Sequence, residues 1–309
     1  MKTGGKERDQ QRPHVRPMKS GVFEAGRKTT FGETEEGTMK ASLKTLFLSL
    51  LVVIGMGMAT HSQAQEEPAP QTAVQATAAQ PAGKVIPEDL FANLNVSFYS
   101  QYIWRGYELS RDSLVIFPTM TVGYKGFAVN LWADVDTNFE GDGHDFKLQE
   151  ADVTLSYSNS YQPWKLNYSL GWILYAYSPG QNQELFATLG LDTLLKPTLS
   201  IYNEIEIGQA WYFSLGVSHS FAVYKDWSLD LAGSVSYMID QSGESFSNMH
   251  DGNVSAGLKI PLNNHLSIIP KVQFSFPLSG EAAERISHAS WGGNRDTFVY
   301  GGIILDLSL

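Results

Sequence analysis

From about Phe91 to the C-terminus the chain alternates apolar and polar residues in short runs. The run Trp164-Lys-Leu-Asn-Tyr-Ser-Leu-Gly-Trp-Ile-Leu-Tyr-Ala-Tyr177 shows the pattern. Trp164, Leu166, Tyr168, Leu170, Trp172 and Leu174 fall on even positions, and Lys165, Asn167, Ser169 and Gly171 on odd ones. Successive side chains of a strand point to opposite faces, so a period of two predicts strands with one apolar and one polar face. About twelve such runs occur, near 93–105, 114–124, 127–138, 146–158, 164–177, 185–195, 198–208, 211–223, 227–239, 253–262, 266–277 and 297–309. Roughly ten residues suffice for a tilted strand to cross a bilayer. The predicted fold class is therefore all-β: a closed antiparallel transmembrane β-barrel over residues 91–309, with its apolar face to lipid and its polar face to the lumen. A soluble β-sandwich also alternates, but its strands are shorter and its outward face is polar. Pro118 and Pro270 fall in mid-strand, where proline removes a ladder hydrogen bond. His219 and Asn203 interrupt the apolar face, so bulges or one-residue shifts are expected there.

The connectors alternate in length. Lys125-Gly126, 159–163, Lys196-Pro197, 224–226 and 263–265 are short; 106–113, 139–145, 178–184, 240–252 and 278–296 are longer; Gln209-Ala210 breaks the rule. Short periplasmic turns opposite longer outer loops, with an even strand number, suit a bacterial barrel. Aromatic residues mark the strand ends: Tyr124, Phe127, Tyr157, Tyr161, Trp164, Tyr224 and Trp227 beside the short turns, and Tyr102, Trp104, Tyr107, Tyr175, Tyr177, Trp211, Tyr237 and Trp291 toward the long loops. Two interfacial belts are the expected reading.

The N-terminal part carries other signals. Met39-Lys-Ala-Ser-Leu-Lys44 is a basic start, Thr45 to Ala59 an apolar run, and Ser62-Gln-Ala64 a small-residue cleavage site, so 39–64 reads as a secretory signal peptide. Some fifteen apolar residues are too few to span a bilayer as an anchor. Residues 1–38 are polar and mixed in charge and read as a disordered, over-extended start before Met39; residues 65–90, rich in Ala, Gln and Pro, read as a flexible linker. Taking the ten Lys/Arg and six Asp/Glu of residues 1–64 from totals of 22 and 32 leaves 12 and 26, a net charge of −14. Such an acidic chain argues against nucleic acid as a partner. With no cysteine there is no disulfide, thiolate metal site, cysteine nucleophile or lipid-anchor cysteine. The expected location is the outer membrane of a Gram-negative bacterium, with lipid and lipopolysaccharide around the barrel.

Tyr99-Ser-Gln-Tyr-Ile-Trp-Arg-Gly106, then Ser110, Pro118, Gly126-Phe127 and Trp132, resembles the opening of the TorF-like porin family of Gram-negative outer membranes. That family opens with an aromatic-x-x-Arg-Gly motif, a later Ser and Pro, and a Gly-aromatic turn before a Trp-bearing strand. The match covers about forty residues. It implies an outer-membrane channel and supplies no catalytic residues.

If the apolar face is outside, the candidate pore-lining residues are Arg105, Asp134, Asp136, Glu150, Asp152, Glu204, Glu206, Asp230, Lys259 and Lys271, with Asp192, Asp306, Lys147 and Lys165 as further inward charges. Acid dominates strands three to nine, and an acidic lumen enriches cations. The expected function is passive diffusion of small hydrophilic solutes or ions, with a weak cation preference. The alternatives are a non-conducting structural or adhesion barrel whose charges form a plugging salt-bridge network, and a lipid-modifying hydrolase. Inward Tyr99, Phe117, Trp132 and Tyr212 narrow the lumen, and Arg105 is expected to pair with an inward carboxylate, since a lone buried charge is costly. The pairs Glu204/Glu206 and Asp134/Asp136 have a spacing that suits a divalent cation, but any acidic alternating strand produces it; no metal or cofactor is expected. His265-Leu-Ser267 and His288-Ala-Ser290 place His and Ser two apart, as the hydrolase reading would need, and neither has an evident acid partner at matching spacing, though Glu281 and Glu284 precede the second. The loop 278–296 is long enough to fold into the lumen or to meet an outside partner.

Overall fold

A computed structural model describes residues 89–138, 146–177, 180–206, 210–242, 245–290 and 293–308. The expected over-extended start, the signal peptide and nearly all of the linker lie outside these residues. The strands are β1 (Leu90–Tyr99), β2 (Ile103–Trp104), β3 (Tyr107–Glu108), β4 (Val115–Tyr124), β5 (Phe127–Asp136), β6 (Lys147–Tyr161), β7 (Leu166–Tyr177), β8 (Gly180–Leu191), β9 (Thr198–Glu204), β10 (Trp211–Tyr224), β11 (Trp227–Asp240), β12 (Phe246–Pro261), β13 (Leu266–Pro277) and β14 (Phe298–Ser308). One helix, α1 (Gly280–Ala289), lies between β13 and β14.

Twelve of these strands, β1 and β4 to β14, form a closed antiparallel barrel in which sequence neighbours pair and β1 closes on β14. Closure leaves no sheet edge, as a backbone inside a bilayer requires. The closing seam is tight: a Cβ on Gly302 would fall 1.7 Å from the Phe98 carbonyl oxygen.

The alternation sorts as expected. Val122, Val129, Leu155, Leu170, Leu185, Leu215, Val254, Val272 and Ile303 are exposed on the outside, whereas Asn95, Ser97, Thr119, Ser158, Ser169, Thr188 and Ser275 are buried inside. An apolar belt around the whole barrel far exceeds the patch a water-soluble monomer tolerates and calls for a lipid surround. Beside the short turns Phe127 and Trp164 stand 65% and 71% exposed, and the pairs Phe127–Tyr157, Tyr161–Trp164 and Tyr224–Trp227 pack ring to ring. Lys125 (φ 50) and Gly126 (φ 86) make a two-residue turn of the kind whose twist matches paired strands.

Both mid-strand prolines stay in the barrel, each beside a gap in one ladder. The β4–β5 register skips from Ile116↔Val135 to Thr119↔Trp132 at Pro118. The β12–β13 register skips from Gly257↔Lys271 to Ile260↔Ile268 at Pro270. The other ladder of each proline strand continues through it, as Val96↔Pro118 and Pro270↔Ile303.

β8 and β9 each end about four residues earlier than expected, at Leu191 and Glu204, and three boundaries differ by more. The first strand stops at Tyr99 rather than at 105, and the next residues make a separate hairpin, Ile103↔Glu108 and Trp104↔Tyr107. β8 starts at Gly180 rather than 185, and β12 at Phe246 rather than 253. Within β12 the register slips between Val235↔Gly252 and Tyr237↔Met249, leaving His250 and Asp251 opposite one residue. This bulge turns both side chains away from solvent.

Candidate functional site

The lumen has two zones. Toward the short turns its wall is made of small polar residues: Ser200, Ser214, Gly216, Ser218, Ser228, Ser234 and Ser255 alternate inward from β9 to β12. Toward the opposite mouth it is aromatic and charged, and two chain segments fill it. These are the hairpin β2–β3, which follows β1, and the helix α1.

The hairpin turns through Arg105 (φ 47) and Gly106 (φ 82), a two-residue turn like that at Lys125-Gly126. It is tied down by Leu109 N–H donating to the Tyr102 carbonyl (2.8 Å), Tyr102 N–H to Ser110 Oγ (2.8 Å), and a buried Arg111–Glu108 ion pair. Tyr102, Ile103, Tyr107 and Leu109 pack with Tyr99, Phe117, Trp132, Ile286 and Tyr300 in one cluster. Across the barrel Ile173, Tyr175, Phe186, Tyr202, Tyr212, Met238 and Phe246 form a second cluster with Ala282 of α1. Trp104 packs against both.

Helix α1 follows from its own sequence. The Ser279 hydroxyl accepts from Ala282 N–H at the N-terminus (3.1 Å), and Ala282 and Ile286, four residues apart, share the buried face. Arg285 donates to the Tyr107 hydroxyl (2.9 Å) and pairs with Asp240 of β11. Burial pushes the Tyr107 hydroxyl up to about 12, so it remains a neutral phenol.

Arg105 stands at the centre. Its two terminal nitrogens meet the two Glu184 oxygens, each at 2.7 Å, a bidentate pair buried on both sides. Its guanidinium carbon lies 4.5 Å from the Trp104 ring centre, 4.5 Å from Tyr202 and 4.4 Å from Tyr212. The Tyr175 hydroxyl donates to Glu184 (2.9 Å), and Tyr212 donates to Asp251 (2.9 Å). The Arg105 carbonyl meets His250 Nε2 at 3.1 Å. Burial opposes the charge, but the Glu184 carboxylate together with Tyr175 and Tyr212 more than offsets it, and the Arg105 pKa is raised. Beside this group lies a cavity of about 30 Å³, enough for a water.

Asp134, Asp136, Glu150, Asp152 and Glu204 are 1–5% exposed on the inner wall. Register places Asp134 opposite Glu150, and Glu204 opposite Glu184. Asp136 accepts from Ser113 and from Asn138 N–H, and Tyr102 donates to Glu150 (3.3 Å). Asp230, Lys259 and Lys271 belong to the more open polar zone, with Asp230 and Lys271 on either side of Gly257. Asp306 accepts from Asn93 (2.8 Å), joining the end of β14 to the start of β1, and Lys147 pairs in register with Asp136.

Four placements correct the expectation. Arg105 is on the inserted hairpin, not on the wall. Glu206 lies past the end of β9, exposed, and accepts from Gln181 and Gln183 (3.1 and 3.0 Å). It therefore diverges from Glu204 instead of sharing a face with it. Asp192 and Lys165 sit exposed in turns, Lys165 with φ 51. Tyr102, Trp104 and Tyr107 line the lumen rather than an outer belt, because the segment after Tyr99 folds inward, and Tyr175 and Tyr177 do so because they stand on the inward-facing positions of β7. Trp211 remains exposed on the outside, and Trp291 lies outside the described residues.

His265 is exposed in a turn while Ser267 points inward; His288 is exposed on α1, and Ser290 donates to the Ser287 carbonyl (2.9 Å). Among the described residues no cluster of three or more His, Asp or Glu suits a metal ion. Glu184, Glu108, Asp240, Asp251, His250 and Arg285 are the site residues that strand assignment from sequence missed. For Arg285 a signal was present: Ser279, followed by apolar residues at i, i+4 spacing, is the pattern of a helix start.

The closed barrel, its apolar belt and its polar inner wall define a membrane-spanning barrel of channel-like construction. Residues 87–226 match the model of a bacterial protein family of unknown function, Gcw_chp. No curated protein matches the chain significantly. Among solved structures, a NanC porin is similar at 8% identity and TM-score 0.45, over 71% of this chain and 98% of the other. A bacterial polysaccharide outer-membrane secretin is similar at 9% identity and TM-score 0.37, over the same two shares. The barrel assignment rests on the strand pairing and outer surface of this chain.

Proposed function

We propose that the protein is an outer-membrane channel of a Gram-negative bacterium, through which small hydrophilic solutes or ions diffuse passively, and that the hairpin β2–β3 and helix α1 form its gate. Lipid and lipopolysaccharide surround the apolar belt. One observation carries this reading: the obstruction is built from two segments inserted at a single mouth, while the wall beneath them is small and polar. The buried acids on β5 to β9 outnumber the basic side chains of that wall, so the open path favours cations. A second reading, favoured by the two packed clusters and the small cavity, is a permanently closed structural barrel. Liposome swelling separates them. Vesicles carrying the protein swell in small sugars or salts if the gate opens, and swelling no faster than in protein-free vesicles, with folded barrel present, favours the closed barrel.

A further inference from the structure

We propose that the wall pocket filled by Arg105 is a binding site for a guanidinium-headed organic cation, and that Arg105 is the chain's own stand-in for that ligand. The proposal names the solute class of the channel, and so rests on the channel reading for transport but not for binding.

The pocket is built by the wall. Glu184, Tyr175, Tyr202 and Tyr212 stand on four consecutive barrel strands, β7 to β10, and only the third ring, Trp104, belongs to the hairpin. Withdrawal of the hairpin leaves the carboxylate, its Tyr175 donor and two ring faces in place on rigid elements. The shape selects a planar fork: both Glu184 oxygens accept, and flat rings flank the plane, a geometry that suits guanidinium better than ammonium.

Charge points the same way. Glu204 lies directly opposite Glu184 in the ladder, and both are buried around the cavity beside Arg105. A buried carboxylate stripped of its cation is strongly disfavoured. Departure of Arg105 is therefore coupled to the arrival of another cation. The turn itself gives no reason for arginine: position 105 is left-handed (φ 47), where Asn or Gly is favoured. The pocket supplies the reason.

Arg105→Asn is the discriminating variant, because Asn-Gly is the preferred sequence for this turn and the guanidinium alone is lost. Full-length R105N, shown to be folded by heat-modifiable mobility, is titrated calorimetrically with methylguanidinium well below denaturing concentrations. Saturable binding is expected, at least about tenfold tighter than for methylammonium, lost in R105N/E184Q and weakened in the wild type, where Arg105 competes. Folded R105N that shows no saturable methylguanidinium binding overturns the proposal. If R105N does not fold, the wild type carries the test. Millimolar methylguanidinium, but not methylammonium, is then expected to speed tryptic cleavage of the hairpin, and equal rates overturn the proposal. Binding without conductance in any variant keeps the site and removes the channel, whereas conductance without binding removes the site and keeps the channel.

Discussion

Gly106 and Ile286 are in direct contact: a Cβ on Gly106 would stand 2.9 Å from Ile286 Cδ1, and 3.0 Å from the Asp251 Cβ. The hairpin tip, the helix α1 and the β12 bulge thus meet at one point. Gly106 also has φ +82, where another residue costs roughly 1–2 kcal/mol. Gly106→Ala is expected to unseat the hairpin while the barrel stays closed. Limited trypsin digestion checks this: cleavage at Arg105 and Arg111 accelerates, with barrel mobility on gels unchanged.

The Arg285–Asp240 pair tethers α1 to the wall, and Asp240 is fully buried. Arg285→Ala leaves that carboxylate with the Ser242 N–H and hydroxyl as donors but without its counter-charge, a loss of about 3 kcal/mol for a buried pair. Arg285→Ala/Asp240→Asn is expected to recover a large part of this, because the stranded charge is gone. Urea unfolding in lipid vesicles ranks the three proteins; equal midpoints for the single and double variants would remove the tether argument.

At the opposite end, Lys125 holds φ 50 in the β4–β5 turn. Lys125→Asn, which makes an Asn-Gly turn, is expected to stabilise the barrel by about 0.5 kcal/mol. The Lys125–Tyr124 contact (5.1 Å) is lost, but it is exposed and weak. The same urea assay reads the change.

Asp134 and Glu204 are buried acids of the inner wall. Replacing them by Asn and Gln in a conducting background is expected to lower cation preference, seen as a reversal potential closer to zero under a salt gradient. Unchanged selectivity would take both residues out of the permeation path.

The barrel was legible in the sequence because lipid outside and polar groups inside impose a period of two on nearly every strand. Ten of the twelve wall strands begin within about three residues of the expected positions, as at β4, β5, β7, β10 and β13. The inserted segments were legible only in part: an inward fold of the 278–296 loop was one of two readings, and the hairpin was not expected. Residues 99–108 keep a strand-like pattern whether they extend β1 or pair with each other, so periodicity does not separate a wall strand from an inserted hairpin. Gln181-Asn-Gln-Glu184 reads as a loop because the outward positions Gln181 and Gln183 are polar, and this hid Glu184, the partner of Arg105. The β12 bulge breaks the alternation at His250-Asp251, so that strand reads as starting late. The pairing of Arg105 with an inward carboxylate was foreseeable from charge burial alone; its partner was not.

The central claim is that a polar channel is closed by a releasable gate, and planar-bilayer recording under a salt gradient tests it most directly. Full-length wild type is compared with Arg285→Ala, in which α1 has lost its tether. The account predicts rare, brief steps for the wild type and frequent discrete steps for the variant, with a reversal potential favouring cations. A correctly folded Arg285→Ala barrel that never conducts would contradict it.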